Sequence, residues 1–243
     1  MNMKKIFGAA ILVASTTIPA HADLVLDNFN YVSAPFTPYD VDLEIDASII
    51  SATTATDLYY SASGAEVTYQ LDRVDFTSQG ASGSSKAFYG DGLLDYAESN
   101  TIDATLLVTY DAPTLSTIDF LSFGDTFYTN INSADEGIEV LFTVTSASGS
   151  STATFTTSEV DVGSPVTELL SFSAFTTNTG TGADFSAVSQ VMAFFTSGTA
   201  STGGQQYGTD FTLTEFGIVP EPTSIALLGL GLLGLGLRSR RKA

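Results

Sequence analysis

The chain contains no cysteine and no tryptophan, a single histidine, and only eight lysines and arginines against 27 aspartates and glutamates. Each shortage removes a class of function. Without cysteine there is no disulfide framework and no thiol nucleophile, so a stable fold has to rest on a core of sufficient size, on bound ions, or on both. Serine chemistry is equally unsupported: the one histidine, His21, sits in a segment that reads as removed on export, and the usual base for activating a hydroxyl goes with it. The lack of tryptophan takes away the best platform for stacking on sugar rings and leaves tyrosine as the substitute.

The few cations are also unevenly placed. Lys4 and Lys5 lie at the start and Arg238, Arg240, Arg241 and Lys242 at the end, so residues 23–219 keep only Arg73 and Lys86. Of the 27 acids only Glu221 lies outside that span, which leaves 26 acids facing two bases, a formal net of −24. A body of that charge repels nucleic acid and anionic lipid, and it favours solubility and cation binding.

Both ends carry export signals. Lys4 and Lys5 precede the apolar stretch Ile6 to Ala14, and Ala20-His21-Ala22 supplies the small-x-small pattern of a signal peptidase site. Residues 1–22 therefore read as a signal peptide for the Sec pathway, with the mature chain starting at Asp23. At the other end Pro220-Glu221-Pro222 fixes the backbone and disfavours helix just before it, so the folded body ends there and a new helix can start at Pro222. Fifteen uncharged residues follow, Thr223 to Leu237, about 22 Å as a helix against a hydrocarbon core of about 30 Å. The basic cluster behind them decides the topology. Carrying each of Arg238, Arg240, Arg241 and Lys242 through the bilayer centre costs about 2.5 to 3.5 kcal/mol, whereas a leucine returns about 0.5. The tail is expected to stop in the membrane with its basic end in the cytoplasm, the arginine stems snorkelling to cover the short fit. Gly229, Gly231 and Gly234 match G-x-G-x-x-G, but no strand precedes them and no acid follows at the required distance, so no dinucleotide site is read there.

Residues 220–243 resemble the PEP-CTERM sorting signal, in which a Pro-Glu-Pro motif, a short hydrophobic segment and a terminal arginine cluster occur together. The resemblance implies that the tail is held in the inner membrane until an exosortase, a membrane-embedded cysteine transpeptidase, processes it near the motif and passes the protein to the surface. Pro220, Glu221 and Pro222 match the motif; Arg238, Arg240 and Arg241 match the basic end. The likeness covers about a tenth of the chain and concerns sorting alone.

Between the two ends the pattern is β. Val41, Leu43 and Ile45 alternate with Asp42, Glu44 and Asp46, and Val67, Tyr69 and Leu71 alternate with Glu66, Thr68 and Gln70, which is the period of a strand with one buried and one wet face. The same period returns at Ile102 to Tyr110 and Ile138 to Val144. Further strands are expected at Leu24 to Phe29, Thr117 to Phe123, Thr152 to Thr157, Leu169 to Phe175, Val188 to Thr196 and Asp210 to Ile218. Turn-rich stretches separate them, among them 78–85, 90–92, 146–151, 178–182 and 198–204. The expectation is an all-β fold: a single β-sandwich over residues 23–219, followed by a C-terminal hydrophobic helix. Leu24 to Phe29, Asp210 to Thr214, and Asp184 to Val188 leading into the following strand resemble elements of jelly-roll domains of the carbohydrate-binding kind, which implies a jelly-roll-like sandwich.

Candidate sites of three kinds arise in the body: cation-binding acids, an acid-base pair and sugar-stacking tyrosines. Asp27 and Asp210 would be neighbours if the first and last strands pair, as the jelly-roll resemblance implies, and such domains often hold a structural calcium there. The series Asp40, Asp42, Glu44, Asp46 has calcium-loop spacing without the loop's glycine or distal glutamate, and alternation puts it on one wet strand face; Asp91, Asp135 and Glu136 sit in glycine turns. Carboxylates are the sole acid-base groups, which would suit a glycosidase, and Glu44-Ile45-Asp46 begins the Glu-x-Asp-x-x-Glu pattern of jelly-roll glucanases. Position 49, however, is Ile, where the acid should stand. Tyr31, Tyr39, Tyr59, Tyr60 and Tyr89 are candidates for sugar stacking. The reading is a non-enzymatic exported surface or matrix protein without an obligatory cofactor, associated with exopolysaccharide; a carbohydrate-binding module and a carboxylate-based glycoside hydrolase are the alternatives. Its expected partners are signal peptidase, exosortase and the membrane, and nucleic acid is not among them.

Overall fold

The computed structural model describes residues 24–29, 32–33, 37–38, 41–46, 51–60, 66–76, 83–99, 102–111, 118–135, 137–197 and 208–220. The expected signal peptide with Ala20 and Ala22, and the tail from Glu221 onward with Pro222, Arg238, Arg240, Arg241, Lys242 and the C-terminal helix, lie outside these residues. Among the described residues no helix is long and apolar enough to cross a membrane.

Among the described residues sixteen strands follow in order: β1 Leu24–Asp27, β2 Val32–Ser33, β3 Thr37–Pro38, β4 Val41–Asp46, β5 Ser51–Tyr60, β6 Glu66–Phe76, β7 Ser84–Gly90, β8 Leu93–Glu98, β9 Ile102–Asp111, β10 Thr126–Ala134, β11 Ile138–Ser146, β12 Gly149–Thr156, β13 Val166–Ser171, β14 Thr176–Gly180, β15 Val188–Ser197 and β16 Asp210–Val219. Two sheets form the sandwich. The first runs β13-β10-β16-β8-β7-β4, with β1 also paired to β16; the second runs β14-β12-β11-β15-β9-β6-β5. All pairs are antiparallel, and the chain crosses repeatedly from one sheet to the other. This is the expected all-β sandwich.

Period-two alternation fills the space between the sheets. Val67, Tyr69 and Leu71 of β6, Leu106 and Val108 of β9, and Val140, Phe142 and Val144 of β11 point inward from one side; Leu43, Ile45, Leu94 and Leu213 point inward from the other. These side chains form one continuous cluster. Its densest part is a group of phenylalanines around Phe127, whose ring lies 5.4 Å from Phe216, 5.6 Å from Phe142 and 4.9 Å from Phe172.

Two expected strands turn out differently. Of the expected strand Thr117 to Phe123, the described part from Ile118 makes one bridge, Ile118 to Val188, and then a 3-10 turn at Phe120–Ser122. Asp119 caps that turn, its carboxylate accepting from the Ser122 N–H at 3.2 Å; a cap residue competes with the strand for the same backbone donors. Leu169 to Phe175 is likewise split between β13 and a 3-10 turn at Phe172–Ala174.

The strands the pattern missed are as instructive. The stretch 90–92 is the expected turn: Asp91 and Gly92 both have positive φ, 48° and 82°, as a two-residue hairpin loop requires. The strands it joins, β7 and β8, went unread because Ser85 and Glu98 occupy inward positions that a hydropathy pattern expects to be apolar. In β10, Phe127 and Tyr128 are both buried, which erases the alternation. Tyr128 is covered on the outer face because it lies over Gly217, where a Cβ would meet its ring at 2.6 Å.

Candidate functional site: the end from which the tail leaves

The last strand is central to the first sheet. β16 pairs with β10 along one side, and with β8 and then β1 along the other. At its end Val219 pairs with Thr126 and Ile218 pairs with Leu24. The beginning and the end of the folded body therefore sit side by side at one end of the sandwich.

A glycine seat holds the exit. A Cβ built on Gly124 would lie 2.2 Å from the Val219 carbonyl oxygen and 2.6 Å from Pro220 N, so the backbone of Gly124 rests directly against the Val219–Pro220 peptide and no side chain fits between them. Gly124 is itself anchored: its N–H and that of Phe123 both donate to Phe120 O at 3.1 and 2.9 Å, and Phe120 N–H donates to Phe185 O at 2.9 Å. Phe120 is 1% exposed and packs edge-on against Phe127. Pro220, the first residue of the sorting motif, thus starts from a fixed position. Gly124 carries no signal in the sequence that singles it out, because the contact joins residues 95 positions apart.

The expected pairing of first and last strands is present, but it does not bring Asp27 and Asp210 together. Asp27 faces Phe216, six residues from Asp210, or about 20 Å along a strand, so one ion cannot join them. Each acid has its own surroundings. Asp27 is fully buried; its carboxylate accepts from Phe29 N–H at 2.8 Å and from the Tyr69 hydroxyl at 3.3 Å. Burial pushes the Tyr110 phenol well above its ordinary value, and the charge of Asp27 and a hydrogen bond to it push in the same direction. Tyr69 in turn stacks on Tyr89 with ring centroids 3.7 Å apart, so Asp27 and three tyrosines knit the two sheets together.

Asp210 lies at the other end of the sandwich. Its carboxylate accepts from Glu98 N–H at 3.1 Å, while its own N–H donates to Asp135 Oδ1 at 2.7 Å. Partial burial raises its pKa from 3.8; the Glu98 N–H works against that rise and the nearby Asp135 adds to it. Glu98, 7% exposed, accepts from Ala104 N–H at 2.9 Å and from the Tyr96 hydroxyl at 3.2 Å. Among the described residues no group of three or more His, Cys, Asp or Glu is arranged to hold a metal ion.

The remaining candidates divide. Glu44 is exposed and paired with Lys86 at 3.2 Å, between the inward Leu43 and Ile45, which is the wet strand face its spacing implied. Tyr89 is core, 1% exposed. Asp40, Glu136, Tyr31 and Tyr39 lie outside the described residues. A set that tyrosine counting missed lies on the outer face of the second sheet, where the cross-strand row Thr154, Leu141, Phe194, Leu107, Gln70 carries three apolar side chains in succession. Its signal was present: in Val191-Met192-Ala193-Phe194-Phe195 neither face is polar, so both had to be covered or used.

The family model for the PEP-CTERM protein-sorting motif matches residues 219–242. The chain carries a PEP-CTERM protein-sorting motif. The match begins on Val219, the last residue of β16, so the motif follows the fold without a spacer. A PEP-CTERM motif marks a chain for export and for sorting by an exosortase to the surface or the extracellular space. No curated protein matches the chain. Among solved structures it is similar to the family 11 carbohydrate-binding module of the cellulosomal cellulase Lic26A-Cel5E of Clostridium thermocellum, at 12% identity and a TM-score of 0.39 over 82% of this chain and 96% of that one. It is also similar to the agarase AgWH50C, at 11% identity and a TM-score of 0.38 over 54% of this chain and 22% of that one. A carbohydrate-binding module specific for non-crystalline cellulose, CBM28, matches at 10% identity and a TM-score of 0.33, over 61% of this chain and 79% of that one.

Proposed function

We propose that the chain is a non-enzymatic protein of the cell surface or extracellular matrix: an acidic sandwich exported by the Sec route, held in the inner membrane by its tail, cut by an exosortase near Pro220-Glu221-Pro222, and then associated with exopolysaccharide. The observation that carries this reading is the sorting motif set directly behind the last strand. A structural body supports it as well. Outside the signal segment there is neither histidine nor cysteine, and the buried acids Asp27 and Glu98 are engaged in tying strands together, which leaves them unsuited to moving protons for a substrate. Mass spectrometry of the surface form tests it: the mature chain is expected to begin at Asp23 and to lack residues beyond about Pro222, and an intact C-terminus on the extracellular form would overturn the sorting reading. Changing Arg238, Arg240, Arg241 and Lys242 together to Ser is expected to leave the precursor without fixed topology and unprocessed.

A second reading, a glycan-binding module, is favoured by one feature. Phe194, flanked by Leu141 and Leu107 and by Thr154 and Gln70, offers an apolar strip with polar margins on an outer face, the composition that receives a sugar ring. A glycan array with the parent chain and a Phe194→Ala variant, with and without calcium, separates the two: retention that depends on Phe194 supports the module, and no retention leaves the structural reading.

A further inference from the structure

The fixed exit has a geometric consequence for the precursor. Pro220 is seated against Gly124, and the apolar run begins at Thr223, three residues on, which at full extension is about 10 Å. The polar layer on each side of the hydrocarbon core is itself about 5 to 8 Å deep. The end of the sandwich around Pro220 therefore has no room to stand clear of a membrane that holds the tail. That end is built differently from the bulk of the acidic body: Leu121, 52% exposed, and the half-buried Phe123 sit on the turn that closes on Gly124. Leu169, 47% exposed, pairs through Tyr128 with Gly217, in from Val219 on the outer face of the first sheet. The neighbouring carboxylates are engaged locally, Asp119 with Ser122 N–H and Asp125 with the Thr126 hydroxyl.

We propose that in the unprocessed chain this end of the sandwich lies against the lipid surface, with Leu121 and Phe123 in the headgroup layer, and that the contact is imposed by the short tether and ends when the tail is cut. The inference rests on the tail being a membrane segment. A body with 26 acids and two bases is repelled by anionic lipid, and two or three apolar side chains are too few to hold it there unaided. A three-residue tether supplies the missing term, because it keeps the patch at a high effective concentration beside the surface. Exposed apolar side chains at the exit then cost the free protein little and give the tethered one a preferred orientation, with the opposite end facing outward.

The absence of cysteine makes the test clean. Single cysteines replace Leu121, or Ser173 on the adjacent 3-10 turn, or Val162, which is 85% exposed beyond the Ala134–Val160 bridge at the opposite end, or Leu230 in the tail. Each full-length variant carries an environment-sensitive fluorophore in phosphatidylcholine vesicles that contain a headgroup nitroxide lipid. The expected result is loss of most of the emission at positions 121 and 173, little loss at 162, and protection of position 230 from aqueous iodide. Inserting about 20 Gly and Ser residues between Pro222 and Thr223, a coil of roughly 25 Å, is expected to return position 121 to the level of 162. If position 230 is protected while 121 and 173 are quenched no more than 162, the docking is wrong and the tail reading stands. Iodide access to position 230 overturns both, and quenching at 121 that survives the inserted linker overturns the tether.

Discussion

The two ends of the sandwich are held by different chemistry. At the tail exit, rings meet rings: Phe127 is in contact with Phe120, Phe142, Phe172, Phe175 and Phe216, and backbone meets backbone at Gly124. At the far end carboxylates meet N–H groups: Glu98 receives Ala104 N–H, Asp210 receives Glu98 N–H, and Asp135 receives Asp210 N–H. Packing of the first kind is indifferent to pH and fails when volume changes. Hydrogen bonding of the second kind tolerates small changes of shape but responds to charge. The chain thus places its ring-packed joint where the sorting tail leaves the fold, and its chain of linked carboxylates at the opposite end.

That contrast can be broken in four ways, the first three read most simply by urea unfolding and the fourth by thermal melting. Phe127→Ala removes the ring at the centre of the exit end, and its expected cost is about 3 to 5 kcal/mol, independent of pH. Glu98→Ala leaves the buried Ala104 N–H without its acceptor and is expected to cost about 2 to 3 kcal/mol; a loss below a few tenths would mean that water replaces the carboxylate and that the far end is not held as described. Gly124→Ala forces a methyl group against the Val219 carbonyl. Displacement of that kind is expected to cost about 1 to 3 kcal/mol and also to shift the position of processing, whereas Gly163→Ala, which meets nothing within 4 Å but has φ +86°, is expected to cost less and to leave processing alone.

The smallest effect has the most definite sign. The folded pKa of Asp210 is raised, so folding disfavours its ionised form, and its contribution to stability falls as pH rises from 3.8 through the raised value. Asp210→Asn keeps an oxygen for Glu98 N–H and removes the charge. It is expected to melt slightly above the parent at pH 7 and to show no difference at pH 3. Because Asp27 and Asp210 share no site, the same variant is also expected to respond to millimolar calcium as the parent does, against sodium chloride of equal ionic strength; a calcium response lost in Asp210→Asn alone would mean that Asp210 binds the ion with partners other than Asp27.

The sequence alone determined what is local or periodic. Alternation such as Val67-Thr68-Tyr69-Gln70-Leu71 decides which face of a strand is buried, because successive side chains point to opposite sides. The sorting motif could be read residue by residue because it is a short contiguous string. Everything that depends on which strands become neighbours had to wait for the tertiary structure. Pairing of β1 with β16 could be anticipated, but register could not, and register put Asp27 opposite Phe216 and left Asp210 at the far end. Inward Ser85 and Glu98 hid β7 and β8, and Glu98 is tolerated in the interior because the next strand supplies the Ala104 N–H to its carboxylate. The seat of the tail is decided in the same way: Gly124 and Val219 touch because β10 and β16 become neighbours in the first sheet, with Thr126 opposite Val219, and no property of either residue announces the contact.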